Sequence, residues 1–129
     1  MQSSLTKYLL TALISVLYCS VAVAAPVGTI QGRVSDSEGA AIKGAHVLFH
    51  LDPSGQTKSA PTVDIVRETD VNGHFNVQLE PGFYDVCIMA TAFTPECRKL
   101  LVSKDGGHTQ SNARLNADPL VIKHLGDTF

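Results

Sequence analysis

The sequence has no tryptophan, only three cysteines and few aromatic side chains, which make up 6% of the 129 residues. Charged residues are also sparse at 17%, and they form no block of one sign. Nucleic acid is therefore not expected as a partner, since its recognition usually requires a clustered basic face. No helix-length stretch repeats its apolar residues every 3.6 positions, which argues against a helical fold. The sequence consists instead of short apolar runs after one longer run at its start.

The beginning of the chain has the order of a secretory signal peptide. One basic residue, Lys7, precedes the apolar run 8–18, and small residues follow at Ala22 and Ala24. We predict a signal peptide over residues 1–24 with cleavage between Ala24 and Ala25. The mature protein is then secreted or periplasmic.

Two other interpretations of this segment are weaker. A retained membrane anchor needs about 20 apolar residues, whereas Thr11, Ser15 and Ser20 interrupt this stretch. A lipid-modified Cys19 would need a small residue before it, and Tyr18 is large. We therefore expect no membrane span and no lipid anchor after cleavage.

The length that remains, about 105 residues, suits one domain with a single modest core. We predict one domain at residues 25–118 and a C-terminal tail at residues 119–129, which could be a strand, a docking segment or disordered. Loss of Lys7 leaves nine basic against twelve acidic residues, a net charge near −3. This balance also argues against nucleic acid.

From Thr29 onward, apolar residues recur at every second position in short runs, as in half-buried strands. Turns are predicted at Asp36 to Gly39, at the hairpin-type pair Asn72-Gly73 and at Pro81-Gly82. About seven strands at this spacing predict an all-β, antiparallel or mixed two-sheet sandwich. The predicted core positions are Ile30, Gly32, Val34, Ala45, Val47, Phe49, Val63, Ile65, Phe75, Val77, Leu79, Tyr84, Val86, Ile88, Leu100 and Val102, with a weaker last strand near Ala113, Leu115 and Ala117.

Taken together, the turn and core residues resemble the carboxypeptidase regulatory-like family, secreted β-sandwiches related in fold to transthyretin (prealbumin). The resemblance covers residues 29 to about 103. It implies a prealbumin-like fold, and it assigns no catalytic role to any residue. The matching segments are Ile30-Gln31-Gly32-Arg33-Val34, Asp36 to Gly39, Gly44-Ala45-His46-Val47, Thr69-Asp70-Val71-Asn72-Gly73-His74-Phe75 and Pro81-Gly82-Phe83-Tyr84.

The two cysteines of the mature chain, Cys87 and Cys97, lie in a compartment that should be oxidising. With Tyr84 and Leu100 facing the core, both cysteines point to the opposite face. An antiparallel pairing that sets Cys87 opposite Cys97 also pairs Tyr84 with Leu100, so every core residue stays inward. Facing Cβ atoms about 4.5 to 5.5 Å apart need little adjustment for a bridge. We therefore predict a cross-strand disulfide.

Five histidines raise the question of a metal site, but their spacing does not support one. His46 and His50 are about 13 Å apart along an extended strand, too far to bind one ion. His74 could join them only if its strand paired beside theirs. Asp70 and Asn72 resemble the start of a calcium loop, but the loop is not completed. We expect no metal and no cofactor.

Catalytic motifs are also missing. The sequence has no Gly-x-Ser-x-Gly elbow, and its cysteines are not in a Cys-x-x-Cys pair. The transthyretin-like hydrolases that open hydroxyisourate end in Tyr-Arg-Gly-Ser, whereas this chain ends Leu-Gly-Asp-Thr-Phe. We therefore expect no enzymatic activity.

Three apolar residues, Phe83, Met89 and Phe93, are predicted to be partly exposed. Phe93, near a hairpin tip, is the candidate partner contact, unless it folds back over the open end of the sandwich. The leading hypothesis is a non-enzymatic module that binds an unknown macromolecule, with a protein favoured over a glycan. Carbohydrate binding is the first alternative, and a small transthyretin-like hydrolase is the second.

Overall fold

A computed structural model describes residues 23–24, 26–55 and 64–120. Most of the predicted signal peptide, Ala25 and most of the predicted C-terminal tail lie outside these residues, as does Val63. Eight strands form two four-stranded sheets. The strands are β1 (Gly28–Asp36), β2 (His46–Leu51), β3 (Ile65–Glu68), β4 (His74–Leu79), β5 (Gly82–Met89), β6 (Glu96–Val102), β7 (His108–Gln110) and β8 (Ala113–Leu115), with one 3-10 turn at Pro53–Gly55 after β2.

The first sheet has the order β4-β1-β7, and β8 also pairs with β1. The pairing of β1 with β4 is antiparallel, whereas β7 and β8 run parallel to β1. The second sheet, β3-β2-β5-β6, is antiparallel throughout. The predicted mixed two-sheet sandwich is therefore confirmed.

The strand count differs from the predicted seven because of β7. Its three residues, His-Thr-Gln, contain no apolar side chain, so alternation could not reveal the strand. The strand β8 ends at Leu115, earlier than predicted. Ala117 instead forms an isolated bridge with Phe93.

The core lies between the sheets and consists mainly of the predicted residues. Ile65 and Leu100 are only half-buried, because each lies on an edge strand of the second sheet. Phe49 and Phe75 bring the two sheets together, with ring centroids 6.1 Å apart. Full burial of one such side chain contributes about 1.5 to 3 kcal/mol. The buried apolar residues are Ile30, Val34, Ile42, Ala45, Val47, Phe49, Phe75, Val77, Leu79, Tyr84, Val86, Ile88, Val102, Ala113 and Leu115.

The turn at Asn72-Gly73 forms, but the hairpin expected there does not. The strands on either side of it, β3 and β4, belong to different sheets. The turn therefore carries the chain across the sandwich. Gly73 has a φ of 75°, and its N–H donates to the Asp70 carbonyl at 2.9 Å. Gly73 takes a positive φ that glycine accommodates, whereas Asn72 does not, so the turn is not the type I′ turn that the dipeptide favours. Packing decides which strands it joins.

Candidate functional site

An apolar row crosses all four strands on the outer face of the second sheet. The register places Leu48 opposite Val66 on one side and opposite Cys87 on the other, and it pairs Cys87 with Cys97. We call Val66, Leu48, Cys87 and Cys97 the apolar row. Strands about 4.8 Å apart make it about 14 Å long.

The predicted disulfide closes one end of this row. Cys87 and Cys97 are bridged, with their Cα atoms 4.1 Å apart. The register on which the prediction rested is also confirmed, since Tyr84 pairs with Leu100. The bridge lies on the outer face, as the alternation of β5 and β6 requires.

Three further apolar side chains on this face are exposed. Met89 is next to the apolar row and is 39% exposed. Phe83 and Leu101 form a cross-strand pair at the other end of β5 and β6, and they are 49% and 55% exposed. The predicted exposure of Phe83 and Met89 is therefore confirmed.

A charged row lies between the apolar row and the Phe83–Leu101 pair. His50 Nδ1 and Asp64 Oδ1 form a hydrogen bond of 2.6 Å. The Lys99 ammonium donates to Asp52 Oδ2 at 2.9 Å and lies 3.3 Å from Asp85 Oδ1. The charged row therefore consists of His50, Asp52, Asp64, Asp85 and Lys99.

These contacts shift the pKa values of His50, Asp52 and Lys99. The hydrogen bond with Asp64 raises the pKa of His50. Hydrogen bonds from Ser54 and then from Lys99 hold the pKa of Asp52 well below its usual range. The hydrogen bond from Lys99 to Asp52 in turn raises the lysine pKa. Because solvent screens such pairs, the charged row contributes little to the stability of the fold.

The outer face of the first sheet is polar. Gln31 on β1 lies between Asn76 on β4 and Gln110 on β7, so three carboxamides cross the sheet in one line. Arg33 follows along β1, with His74 beside it on β4. These side chains line an open groove of about 560 Å³, which we call the amide groove.

A smaller groove of about 260 Å³ continues the amide groove past Arg33 and Asn112, which line both. It adds Arg114 from β8. Asn112 is held at the junction, because its Oδ1 accepts from Arg33 N at 3.0 Å and from Gln110 Nε2 at 3.3 Å. Its carbonyl accepts from Arg98 Nη2 at 2.7 Å.

The structure separates the histidines that were considered as possible metal ligands. His46 and His50 lie on β2 of the second sheet, whereas His74 lies on β4 of the first. Within residues 23–24, 26–55 and 64–120, no three His, Cys, Asp or Glu residues are placed to hold one metal ion. The Asp70 carboxylate instead accepts the backbone N–H groups of Asn72 and His74, both at 2.9 Å.

Phe93 lies in the connection between β5 and β6. Its side chain is half-buried and packs against the core. Its backbone bridges to Ala117, and its N–H donates to the Ala90 carbonyl at 3.2 Å. This position fits the alternative in which Phe93 covers the open end of the sandwich. Its role as a partner contact stays a prediction.

The sequence predicted the exposure of Phe83 and Met89, but it predicted neither the rest of the second-sheet face nor the amide groove. Each combines residues from three or four strands whose neighbours were unknown. The outward parity of Gln31 and Asn76 was available as a signal, since each strand alternates its faces, whereas the strand that carries Gln110 was not predicted. In the part of the chain that is described, no helix is long and apolar enough to cross a membrane.

Two packed four-stranded sheets define a β-sandwich domain. Residues 29–116 match the sequence profile of the carboxypeptidase regulatory-like domain. The chain belongs to this family, as its turn and core residues indicated. No curated protein matches the sequence.

Solved structures with a similar fold include three 1,2-dioxygenases. Catechol 1,2-dioxygenase from Acinetobacter radioresistens superposes with a TM-score of 0.59 at 13% identity, over 79% of this chain and 55% of that one. Hydroxyquinol 1,2-dioxygenase from Pseudomonas putida DLL-E4 gives 0.58 at 11% identity, over 75% and 58%. 3-Chlorocatechol 1,2-dioxygenase from Rhodococcus opacus 1CP gives 0.58 at 13%, over 74% and 61%.

These likenesses show the fold alone. The chain spans just over half the length of the dioxygenases that it resembles. At this identity, a shared sandwich carries no information about activity, because function depends on the residues placed on the fold.

Proposed function

We propose that this protein is an exported, non-catalytic binding module that docks a protein partner on the outer face of its second sheet. The observation that carries the proposal is the position of its exposed apolar side chains. Of the eight large apolar side chains that are exposed among the described residues, four lie on this face: Val66, Phe83, Met89 and Leu101. These side chains lie on both sides of the charged row, and exposed apolar groups rimmed by polar residues are typical of an interaction site.

Charge indicates what the partner should look like. Carboxylates outnumber lysines around the apolar row. The one lysine is Lys99, and the four carboxylates are those of Glu68, Asp52, Asp64 and Asp85. A partner that presents an apolar centre with Lys or Arg at its rim would complement this face. The outer face of the first sheet has no comparable apolar side chain among the described residues.

Export is supported by two independent features. The first is the signal peptide pattern over residues 1–24. The second is the disulfide, a bond that persists mainly in oxidising compartments. Mass spectrometry of the exported protein should find Ala25 as the first residue. An intact Met1 terminus or a diacylglyceryl group on Cys19 would contradict this.

The docking surface can be tested by photo-cross-linking in cells. A photoreactive amino acid at Leu101 should cross-link to a partner protein, whereas the same group at Gln78, exposed on the first sheet, should not. The cross-linked protein is then purified and its affinity measured directly. Replacement of both Phe83 and Leu101 by Ala should weaken binding by about tenfold or more.

The matched control is Val71→Ala, since Val71 is exposed at 68% in a turn away from this face. It should bind like the wild type. Cross-linking from Gln78 and not from Leu101, or unchanged affinity in the double variant, would overturn the proposal.

A further inference from the structure

We infer that the amide groove of the first sheet, together with the smaller groove at Arg114, is a binding site for an acidic oligosaccharide. This inference concerns the opposite face from the protein-docking surface and does not rest on it. The ligand chemistry follows from three features of the lining: a line of carboxamides, a fixed guanidinium and an excess of hydrogen-bond donors at one end.

The carboxamide line supplies paired donors and acceptors over a flat face. Asn76, Gln31 and Gln110 are exposed on adjacent strands and so span about 10 Å, close to the length of two sugar rings. Each carboxamide can donate and accept at the same time, as neighbouring sugar hydroxyls also do. A peptide ligand would usually need an apolar anchor pocket, and the only aromatic residue lining this groove, Phe75, is buried.

Arg33 provides a positive charge held in place. Its Nε donates to the Asn72 carbonyl and its Nη2 to the Gly39 carbonyl, each at 3.2 Å. A guanidinium carries five N–H donors, so three remain for a ligand. Among the described residues, no carboxylate forms an ion pair with the guanidinium of Arg33 or of Arg114.

The junction of the two grooves is rich in donors. Because Asn112 Oδ1 already accepts two hydrogen bonds, its NH₂ group is the part left to face a ligand. Arg114 lies one strand over from Arg33 and two residues further along, which places their Cα atoms about 8 Å apart. Two guanidinium groups with a carboxamide NH₂ between them fit a carboxylate of the ligand.

Asp70 is the one carboxylate in the lining. Its Oδ1 accepts the backbone N–H groups of His74 and Asn72, and the bond from His74, followed by that from Asn72, lowers the pKa of this carboxyl. The lining therefore carries two guanidinium charges against one carboxylate. This moderate excess suits carboxylates spaced one to a sugar ring, as in uronic acids, better than a polyanion with several charges on each ring.

The test is isothermal titration of the exported protein with three six-residue probes: hexagalacturonate, neutral cellohexaose and hexaglutamate. Hexagalacturonate should saturate with a Kd below about 1 mM, and each of the other two should bind at least about tenfold more weakly. Gln31→Ala and Arg114→Gln should each weaken hexagalacturonate binding by about tenfold.

Two variants serve as matched controls for these changes. Gln78→Ala alters an exposed glutamine on the same face but outside the groove lining, and Arg67→Gln alters an exposed arginine of the second sheet. Both should keep the wild-type affinity within about twofold. The inference is overturned by no saturable binding, by equal binding of cellohexaose or hexaglutamate, or by loss of affinity in the controls to the same extent.

Discussion

Asp36 and Asp70 hold two separate turns by the same set of hydrogen bonds. The Asp36 Oδ1 accepts from the backbone N–H of Glu38 at 2.9 Å and of Ala40 at 2.8 Å. In each turn the aspartate N–H donates to the carbonyl four residues on, and the glycine N–H donates back to the aspartate carbonyl. The two Asp-x-x-Gly segments of the sequence therefore form turns of the same structure.

Arg33 joins these two turns. It donates to Gly39 in the first and to Asn72 in the second, at 3.2 Å in both cases. The turns lie far apart in sequence, yet a single side chain from β1 binds both. This explains why the amide groove has a fixed cation at its end.

The glycines of these turns should differ in how well they tolerate alanine. Gly39 and Gly73 both have positive φ, but a Cβ at Gly39 meets nothing, whereas one at Gly73 would collide with the Val34 carbonyl oxygen. Gly39→Ala should cost about 1 kcal/mol of unfolding free energy, and Gly73→Ala about 2 to 4 kcal/mol. Chemical denaturation measures both. Equal losses would contradict the role of the collision, and Gly107→Ala serves as the unstrained control in open space.

Among the buried polar residues that the structure describes, Thr69 is predicted to contribute most to the free energy of unfolding. Its hydroxyl donates to the Ile42 carbonyl at 2.7 Å and accepts from Ala45 N–H at 2.9 Å, with only 3% of the residue exposed. Thr69→Val keeps the shape and leaves both partners unsatisfied, so it should lower the unfolding free energy by about 1 to 3 kcal/mol.

The control for this change is Thr91→Val at an exposed position. It should shift stability by less than about 0.5 kcal/mol. Unchanged denaturation midpoints in Thr69→Val would show that the hydroxyl is dispensable.

The disulfide should contribute to stability by restricting the unfolded chain. Its sequence separation of 10 residues corresponds to about 2 to 3 kcal/mol in the chain-entropy account. The double change Cys87→Ser and Cys97→Ser should lose this amount in urea denaturation, as should the reduced wild type. Thiol counting on the unreduced, denatured exported protein should find no free thiol. Two thiols per chain, or a dimer that disappears on reduction, would contradict the intramolecular bridge.

His50 should titrate above its ordinary pKa of 6.5, because the hydrogen bond with Asp64 favours the protonated ring. A raised pKa in the folded state stabilises the fold fully below pH 6.5, and this contribution is lost as the pH rises through the folded pKa. NMR titration of the ring protons measures it.

Asp64→Asn should bring the His50 pKa back toward 6.5. Asp105→Asn, which changes a carboxylate that does not act on His50, should leave it unchanged. A His50 pKa at or below 6.5 in the wild type would show that the pair does not form in solution.

Much of the sandwich could be predicted because its signals are local. The alternation of Tyr84, Val86 and Ile88 identified the buried face of β5, and the same parity argument placed Cys87 opposite Cys97. Both inferences use residues that are close in sequence, where strand geometry leaves only two faces to choose from. The turns at Asp36 and Asp70 were equally local, since a short side chain bonds to its own backbone.

Tertiary structure alone decided which strands are neighbours. The sequence by itself determined the turn at Asn72-Gly73, but tertiary packing placed β3 and β4 in different sheets. Packing also placed the polar strand β7 beside β1, so that Gln110 lies in line with Gln31 and Asn76. Strand pairing between distant segments depends on how whole faces bury one another, and no window of nearby residues contains that information. The sequence could therefore indicate single exposed residues such as Phe83 and Met89, whereas the two candidate surfaces depend on the pairing of distant strands.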